Sequence, residues 1–129
     1  MHHGKFGKLL NKKFWKGKNV LLKGHTGFKG TLMSQLLIEL GANVSGLSLL
    51  EAPSKPCLYD LLELEKTIVD LRGDITSLKT CNKAVNNSNP NILIHMAAQP
   101  LVRLSYQQPI LTYNTNIMGT ANILEAVRN

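Results

Sequence analysis

Apolar residues follow two alternating rhythms along this chain. Residues 19–23, NVLLK, are a short continuous apolar run that stops at Gly24, the pattern of a strand buried on both faces. Residues 28–40, FKGTLMSQLLIEL, change to helical spacing and put Leu32, Leu36, Leu37 and Leu40 on one face, with Gly41 as the stop. The run NVSGLSLL, 43–50, predicts a second strand, which EAPSKP breaks with two prolines. Residues 57–64 have the length of a short helix. TIVDLRGDI, 67–75, predicts a third strand running into a loop, and 76–88 a helix capped by Thr76. NILIHMAAQ, 91–99, predicts a fourth strand entering a loop. A long connection holding Pro100 and Pro109 leads to a last helix over roughly 113–128, where Ile117, Ala121, Leu124 and Val127 share a face.

Strands that alternate with helices imply parallel strands joined by right-handed crossovers. There is no internal repeat, and NNSNPN at 86–91 is a polar turn. At 129 residues the chain is one domain or part of a larger one. No apolar stretch approaches the ~18 residues a membrane helix needs, so no membrane association is expected. The start, MHHGKFGKLLNKKFWKGK, lacks the apolar core and cleavage site of a signal peptide, and a cytoplasmic location is expected.

Two cysteines are too few for a disulfide framework. Cys81 shares a helical stripe with Leu78 and Val85, which predicts a buried, reduced thiol. His2, His3, His25 and His95 show no zinc-site spacing. The net charge of +7 suggests nucleic acid until it is located: residues 1–30 hold eight lysines and no acid, and the remainder carries seven basic and eight acidic groups. The positive charge therefore belongs to the amino-terminal stretch, whose first 13 residues form a basic arm, and to the glycine loop. With only Phe6, Phe14 and Trp15 as aromatics and no recognisable motif, the arm is expected to be a solvated, disordered tail rather than a nucleic-acid contact.

The segment GHTGFKG, 24–30, lies between the first strand and the first helix. That is the context a dinucleotide fingerprint requires. Gly24 would allow a tight turn with positive φ, Gly27 would let the backbone approach a pyrophosphate, and Gly30 would let helix and strand pack closely. The amides of Phe28 and Lys29 would face the phosphates at the positive end of the helix. The spacing is G-x-x-G-x-x-G rather than the commoner G-x-G-x-x-G. Glu51, 21 residues beyond Gly30, ends the second strand and is placed either to bind the adenosine ribose hydroxyls, which favours NAD over NADP, or simply as a loop acid. The fold class predicted is α/β: a partial, Rossmann-like doubly wound parallel sheet of about four strands with flanking helices, truncated before its second half, over residues 14–129.

GHTGFKG, GDI at 73–75, HMAAQPLVRLSYQQP at 95–109 and TNIMGT at 115–120 occur in the order seen in the extended short-chain dehydrogenase/reductase family, and most resemble its CDP-glucose 4,6-dehydratase branch. The resemblance covers about Phe14 to the end. It implies NAD as cofactor, with Thr26 in the phosphate loop, Asp74 at the adenine amino group and Ile75 lining the base. Met96, Ala97, Ala98 and Gln99 would lie under the nicotinamide-side ribose and phosphate; Thr115 would contact the cofactor and Asn116 would brace the sheet. It implies a nucleotide sugar, CDP-glucose, as the partner of the full-length family.

Two departures matter. Lys23 stands where the family usually has threonine; a cation there must reach phosphate or solvent, or carry a desolvation cost. The family's Tyr-x-x-x-Lys pair does not occur in this chain: Tyr59, Tyr106 and Tyr113 are followed four residues on by Glu63, Ile110 and Ile117. The expected function is therefore the NAD-binding amino-terminal portion of a sugar-nucleotide 4,6-dehydratase, inactive alone. The alternatives are a non-catalytic NAD-binding module and an interaction protein. The open edge of the fourth strand is expected to favour self-association.

Overall fold

A computed structural model describes residues 11–52 and 54–128. Residues 1–10 of the expected disordered arm lie outside the described residues, while Lys12 and Lys13 belong to a short first helix, α1 (Lys12–Trp15). There follow β1 (Asn19–Lys23), α2 (Phe28–Glu39), β2 (Asn43–Ser48), α3 (Leu58–Leu61), a 3₁₀ turn (Leu64–Lys66), β3 (Val69–Arg72), α4 (Leu78–Ser88) and β4 (Ile92–His95). The chain ends in α5 (Val102–Gln107), α6 (Pro109–Tyr113), a wider π turn (Asn114–Met118) and α7 (Gly119–Arg128).

The four strands form one parallel sheet in the order β3-β2-β1-β4. In β1, Val20 stands opposite Val44 of β2 and Ile92 of β4. The chain leaves β1 toward β2 and returns on its other side as β4, so a topological switch lies between β1 and β4, where doubly wound sheets place their ligands. Among the described residues no strand pairs with the far edge of β4.

Successive strand residues point to opposite faces, so β1 supplies two cores. Val20 packs with Leu37, Val44, Cys57, Tyr59, Leu64 and Ile68. Leu21 packs with Leu47, Ile75, Cys81, Ala84, Ile123 and Ala126 on the other face. Each fully buried leucine contributes about 1.5–3 kcal/mol relative to exposure. This double demand is why the sequence of β1 reads as a continuous apolar run.

Two helical faces differ from those the sequence suggests. In α2 the buried residues are Gly30, Thr31, Ser34 and Leu37, followed by Leu40, while Leu32 and Leu36 are exposed. A Cβ on Gly30 would overlap the Gly24 carbonyl. That close approach turns a face of small residues inward: Thr31 Oγ1 donates to the His25 carbonyl at 3.0 Å and Ser34 Oγ to the Gly30 carbonyl at 2.9 Å. In α7, Gly119, Ile123 and Ala126 are buried, while Ala121, Leu124 and Val127, like Ile117 in the π turn before it, face outward. Asn122 Nδ2 fixes this rotation by donating to the carbonyls of Ile75 (3.0 Å) and Thr76 (2.8 Å).

Element ends shift as well. The last helical segment starts at Pro109, whose fixed φ suits a first helical position. The cap of α4 is Ser77, whose Oγ accepts from the Thr80 amide at 3.3 Å. Thr76 lies one residue before the cap, its amide held by the Asp74 carboxylate at 2.8 Å.

Candidate functional site

The carboxyl ends of the four strands form one rim, and the sequence-predicted site residues occur along it. Gly24, φ +86°, turns the chain out of β1; its amide donates to the Leu47 carbonyl at 2.9 Å. A Cβ at Gly24 would meet the Met96–Ala97 backbone at 2.8–2.9 Å, so this glycine joins the β1 loop to the β4 loop. Gly27 precedes α2 with φ −71°, and its amide donates to the Gly24 carbonyl at 3.2 Å. Phe28 and Lys29 are exposed in the first turn of α2, where amides have no intrahelical acceptor and the helix end is positive.

Gly27 differs from its two neighbours in the motif. Gly24 and Gly30 are demanded by the protein's own packing. A Cβ at Gly27 would find only the Gly24 carbonyl, at 3.4 Å. Gly27 also has an ordinary negative φ. Its missing side chain leaves open space at the residue directly before α2, next to exposed Phe28 and Lys29.

His25 is the residue that sequence reasoning missed. Its ring is fully buried beneath the loop. Nε2 lies 3.0 Å from Asp70 Oδ1 and Nδ1 lies 3.0 Å from Ser48 Oγ. The edge of the ring meets Tyr59 at 5.0 Å between centroids. Ser48 Oγ also accepts from the Thr26 amide at 3.3 Å, and Thr26 is itself buried. A Cβ on Gly46 would overlap the His25 ring. A glycine in the middle of a strand was the available signal, since it marks close approach by another group. Burial lowers the His25 pKa, against the raising effect of Asp70. Desolvation of Asp70 is outweighed by the Arg72 guanidinium hydrogen-bonded to it and by the neighbouring charge, which hold its carboxyl below the usual carboxylate range. Arg72 Nη2 binds Asp70 Oδ2 at 2.7 Å and Nη1 donates to the Leu49 carbonyl at 3.1 Å, so it also shapes the turn after β2.

Lys23 does not reach solvent. It is fully buried on the α4 side of the sheet, with Nζ 3.8 Å from Cys81 Sγ, and stands in register with His95. Desolvation lowers its pKa, partly offset by Cys81. Burial pushes the Cys81 thiol up, and burial followed by Lys23 lowers His95. The Thr120 hydroxyl donates to the Asn116 carbonyl at 2.7 Å and so accepts from His95 Nε2 at 3.0 Å. That leaves buried His95 Nδ1 without a hydrogen-bond partner among the described residues.

After β4, the Met96 amide donates to the Lys23 carbonyl at 2.9 Å. Gln99 is clamped through its backbone: its amide donates to Asn116 Oδ1 at 2.7 Å, and Asn116 Nδ2 donates to its carbonyl at 3.1 Å. Thr115 lies half-buried in the same π turn, and Ala98 is exposed. Glu51 and Asp74 are exposed beyond β2 and β3. Ile75, by contrast, is buried in the core against Gly119. The structure thus joins Gly24–Gly30 to Met96–Gln99. It leaves Glu51 and Asp74 along the outer rim and takes the Ile75 side chain into the core. A groove of about 270 Å³ lined by Leu47, Asp70, Arg72 and Lys83 lies on the β3–α4 side and does not coincide with the glycine loop.

A parallel β3-β2-β1-β4 sheet with a glycine-rich turn running into a helix beside its switch point is the first half of a Rossmann-like fold. The chain belongs to the NAD-dependent epimerase/dehydratase group of extended short-chain dehydrogenase/reductases, matching the family profile described as GDP-mannose 4,6 dehydratase over residues 21–129. It is 47% identical over 120 residues to the CDP-glucose 4,6-dehydratase of Salmonella typhimurium, an alignment that covers 93% of this chain and 33% of that enzyme. It is 28% identical to the GDP-mannose 4,6-dehydratase of Sinorhizobium fredii, covering 86% of this chain and 33% of the relative. Among solved structures, the NAD complex of Thermus thermophilus UDP-glucose 4-epimerase superposes with a TM-score of 0.74 at 28% identity, covering 84% of this chain and 33% of that one. The Brucella ovis UDP-glucose 4-epimerase, also with NAD, gives 0.74 at 26%, covering 87% and 32%. The chain spans about a third of the length of these relatives.

Proposed function

We propose that this chain binds NAD at the β1–α2 loop and forms the cofactor-binding portion of a sugar-nucleotide 4,6-dehydratase of the CDP-glucose type. One observation carries the reading: the motif's middle glycine has no Cβ where the protein's own packing would tolerate one, and the space so left lies beside the unpaired amides of a helix start. The 47% identity to a CDP-glucose 4,6-dehydratase supports the substrate class. Bound NAD would supply a hydride acceptor. The chain's own part is to hold it. The first-turn amides of α2 would bind the pyrophosphate, and Glu51 and Asp74 would meet the adenosine end. Met96 to Gln99, braced by Asn116, would support the nicotinamide-side ribose, with Thr115 alongside.

Gly27→Val is expected to weaken NAD binding by about tenfold or more, a loss of about 1.4 kcal/mol or more, while leaving helix content unchanged. Calorimetric titration and circular dichroism on both proteins measure this, and equal affinities overturn the phosphate-cradle reading. We assign the proton-transfer pair and the sugar pocket to the part of the relatives that this chain does not span, since no Tyr-x-x-x-Lys occurs in its 129 residues. Without them the described chain is expected to give no 4-keto-6-deoxy product from CDP-glucose and NAD, since acid–base groups alone contribute about 10²–10⁴-fold. Turnover above a protein-free control would refute that assignment.

A further inference from the structure

The His25 ring bridges three parts of the fold. It hangs from the glycine loop, takes Ser48 of β2 at Nδ1 and Asp70 of β3 at Nε2, and occupies the space that a side chain on Gly46 would fill. An ionised carboxylate only accepts hydrogen bonds, so Nε2 carries a proton, and in the neutral ring Nδ1 is then the acceptor. The direction of the whole chain follows. Thr26 N–H donates to Ser48 Oγ, Ser48 O–H donates to His25 Nδ1, and His25 Nε2–H donates to Asp70.

We propose that His25 is a positioning residue for the cofactor: through Ser48 it orients the Thr26 amide and keeps the glycine loop in its phosphate-binding shape, and it does so only while Nδ1 is unprotonated. The inference rests on the NAD reading above. A proton on Nδ1 reverses the relay. Ser48 Oγ would then face two donors, and its own hydrogen would lose its acceptor in a buried site. The charged and titratable groups around the ring are Asp70 and Arg72 from β3 and Tyr59 from α3; Cys57, just before α3, faces the Thr26 carbonyl at 3.9 Å. From α2 only the Thr31 hydroxyl reaches the His25 backbone, and β2 contributes Ser48 without a charge. Burial lowers the His25 pKa, which places the reversal on the acid side of its ordinary ~6.5.

The experiment is NAD titration by calorimetry from pH 5 to pH 8 on the unmodified chain and on Ser48→Ala, with nitrogen-15 spectra of the histidine rings. The expected result has three parts. NAD affinity of the unmodified chain falls on the acid side with a midpoint that matches the His25 titration. The neutral His25 ring shows the Nε2–H tautomer. Ser48→Ala binds about 3–10-fold more weakly at pH 7.5, the equivalent of one lost hydrogen bond, and has lost the acid limb. A folded Ser48→Ala protein with unchanged affinity and an unchanged acid limb overturns the inference while leaving NAD binding intact. A chain that binds no NAD at any pH overturns the functional reading and this inference with it. Should Ser48→Ala fail to fold, a mismatch between the two midpoints in the unmodified chain is sufficient to reject it.

Discussion

Gly30→Ala is expected to destabilise the protein by about 3 kcal/mol or more and to lower its Tm by about 10 °C or more. The added Cβ would overlap the Gly24 carbonyl, which is backbone and cannot swing away. Relief requires α2 to lift from β1. That movement would uncover Leu37 and strain the Thr31–His25 hydrogen bond together. Gly27→Ala is the matched control: its Cβ would meet the same carbonyl at 3.4 Å, and thermal melts of the two variants should differ by most of the full effect. Equal melts would show that the loop gives way freely and that the close approach is not a constraint.

Lys23→Met is expected to act in the opposite direction. The methionine keeps most of the aliphatic stem and removes an amine whose hydrogen-bonding partner is a thiol at 3.8 Å. A gain of about 1–3 kcal/mol follows from relieving a poorly compensated buried polar group. The pH dependence provides the specific signature. Because the fold lowers the Lys23 pKa, the unfolded chain binds more protons between that value and the unfolded ~10.4. Stability of the unmodified protein therefore rises with pH across the alkaline range up to about pH 10, and Lys23→Met should flatten this rise. Tyr59 has its phenol pushed up, first by burial, and works in the opposite sense above about pH 10, which bounds the window. Denaturant melts at a series of pH values check this; a slope unchanged by the substitution would show that Lys23 is ionised alike in both states.

The strands were legible in the sequence because a strand buried on both faces cannot hide its composition. NVLLK predicts β1 residue for residue, and the glycine turn after it identified the sheet's first crossover. The faces of α2 and α7 were not legible. Sequence shows which residues are apolar, whereas Gly30 and Asn122 set which side turns inward, one by close approach and one by hydrogen bonds to residues 46 and 47 positions away. Within the site, the glycine loop could be read because its order is local. His25 could not, because Ser48 and Asp70 reach it only once three strands stand side by side. Gly46 and Ser48 in β2 and Asp70 in β3 carried the information, but each alone is an ordinary residue. The sequence alone leaves the surroundings of Lys23 open, and the alternation of β1 sends its side chain under the sheet, away from solvent and against Cys81.

The turn between β1 and α2 has hardly any conformational freedom left. Gly24 is held by Leu47, the His25 carbonyl by Thr31, the Thr26 amide by Ser48 and the Gly27 amide by Gly24. Ordering a free loop on association would cost about 1–2 kcal/mol per residue in backbone entropy. Here that entropy is surrendered when the chain folds, so an arriving phosphate has only itself to immobilise, and its binding should carry a small entropic penalty for a loop so rich in glycine.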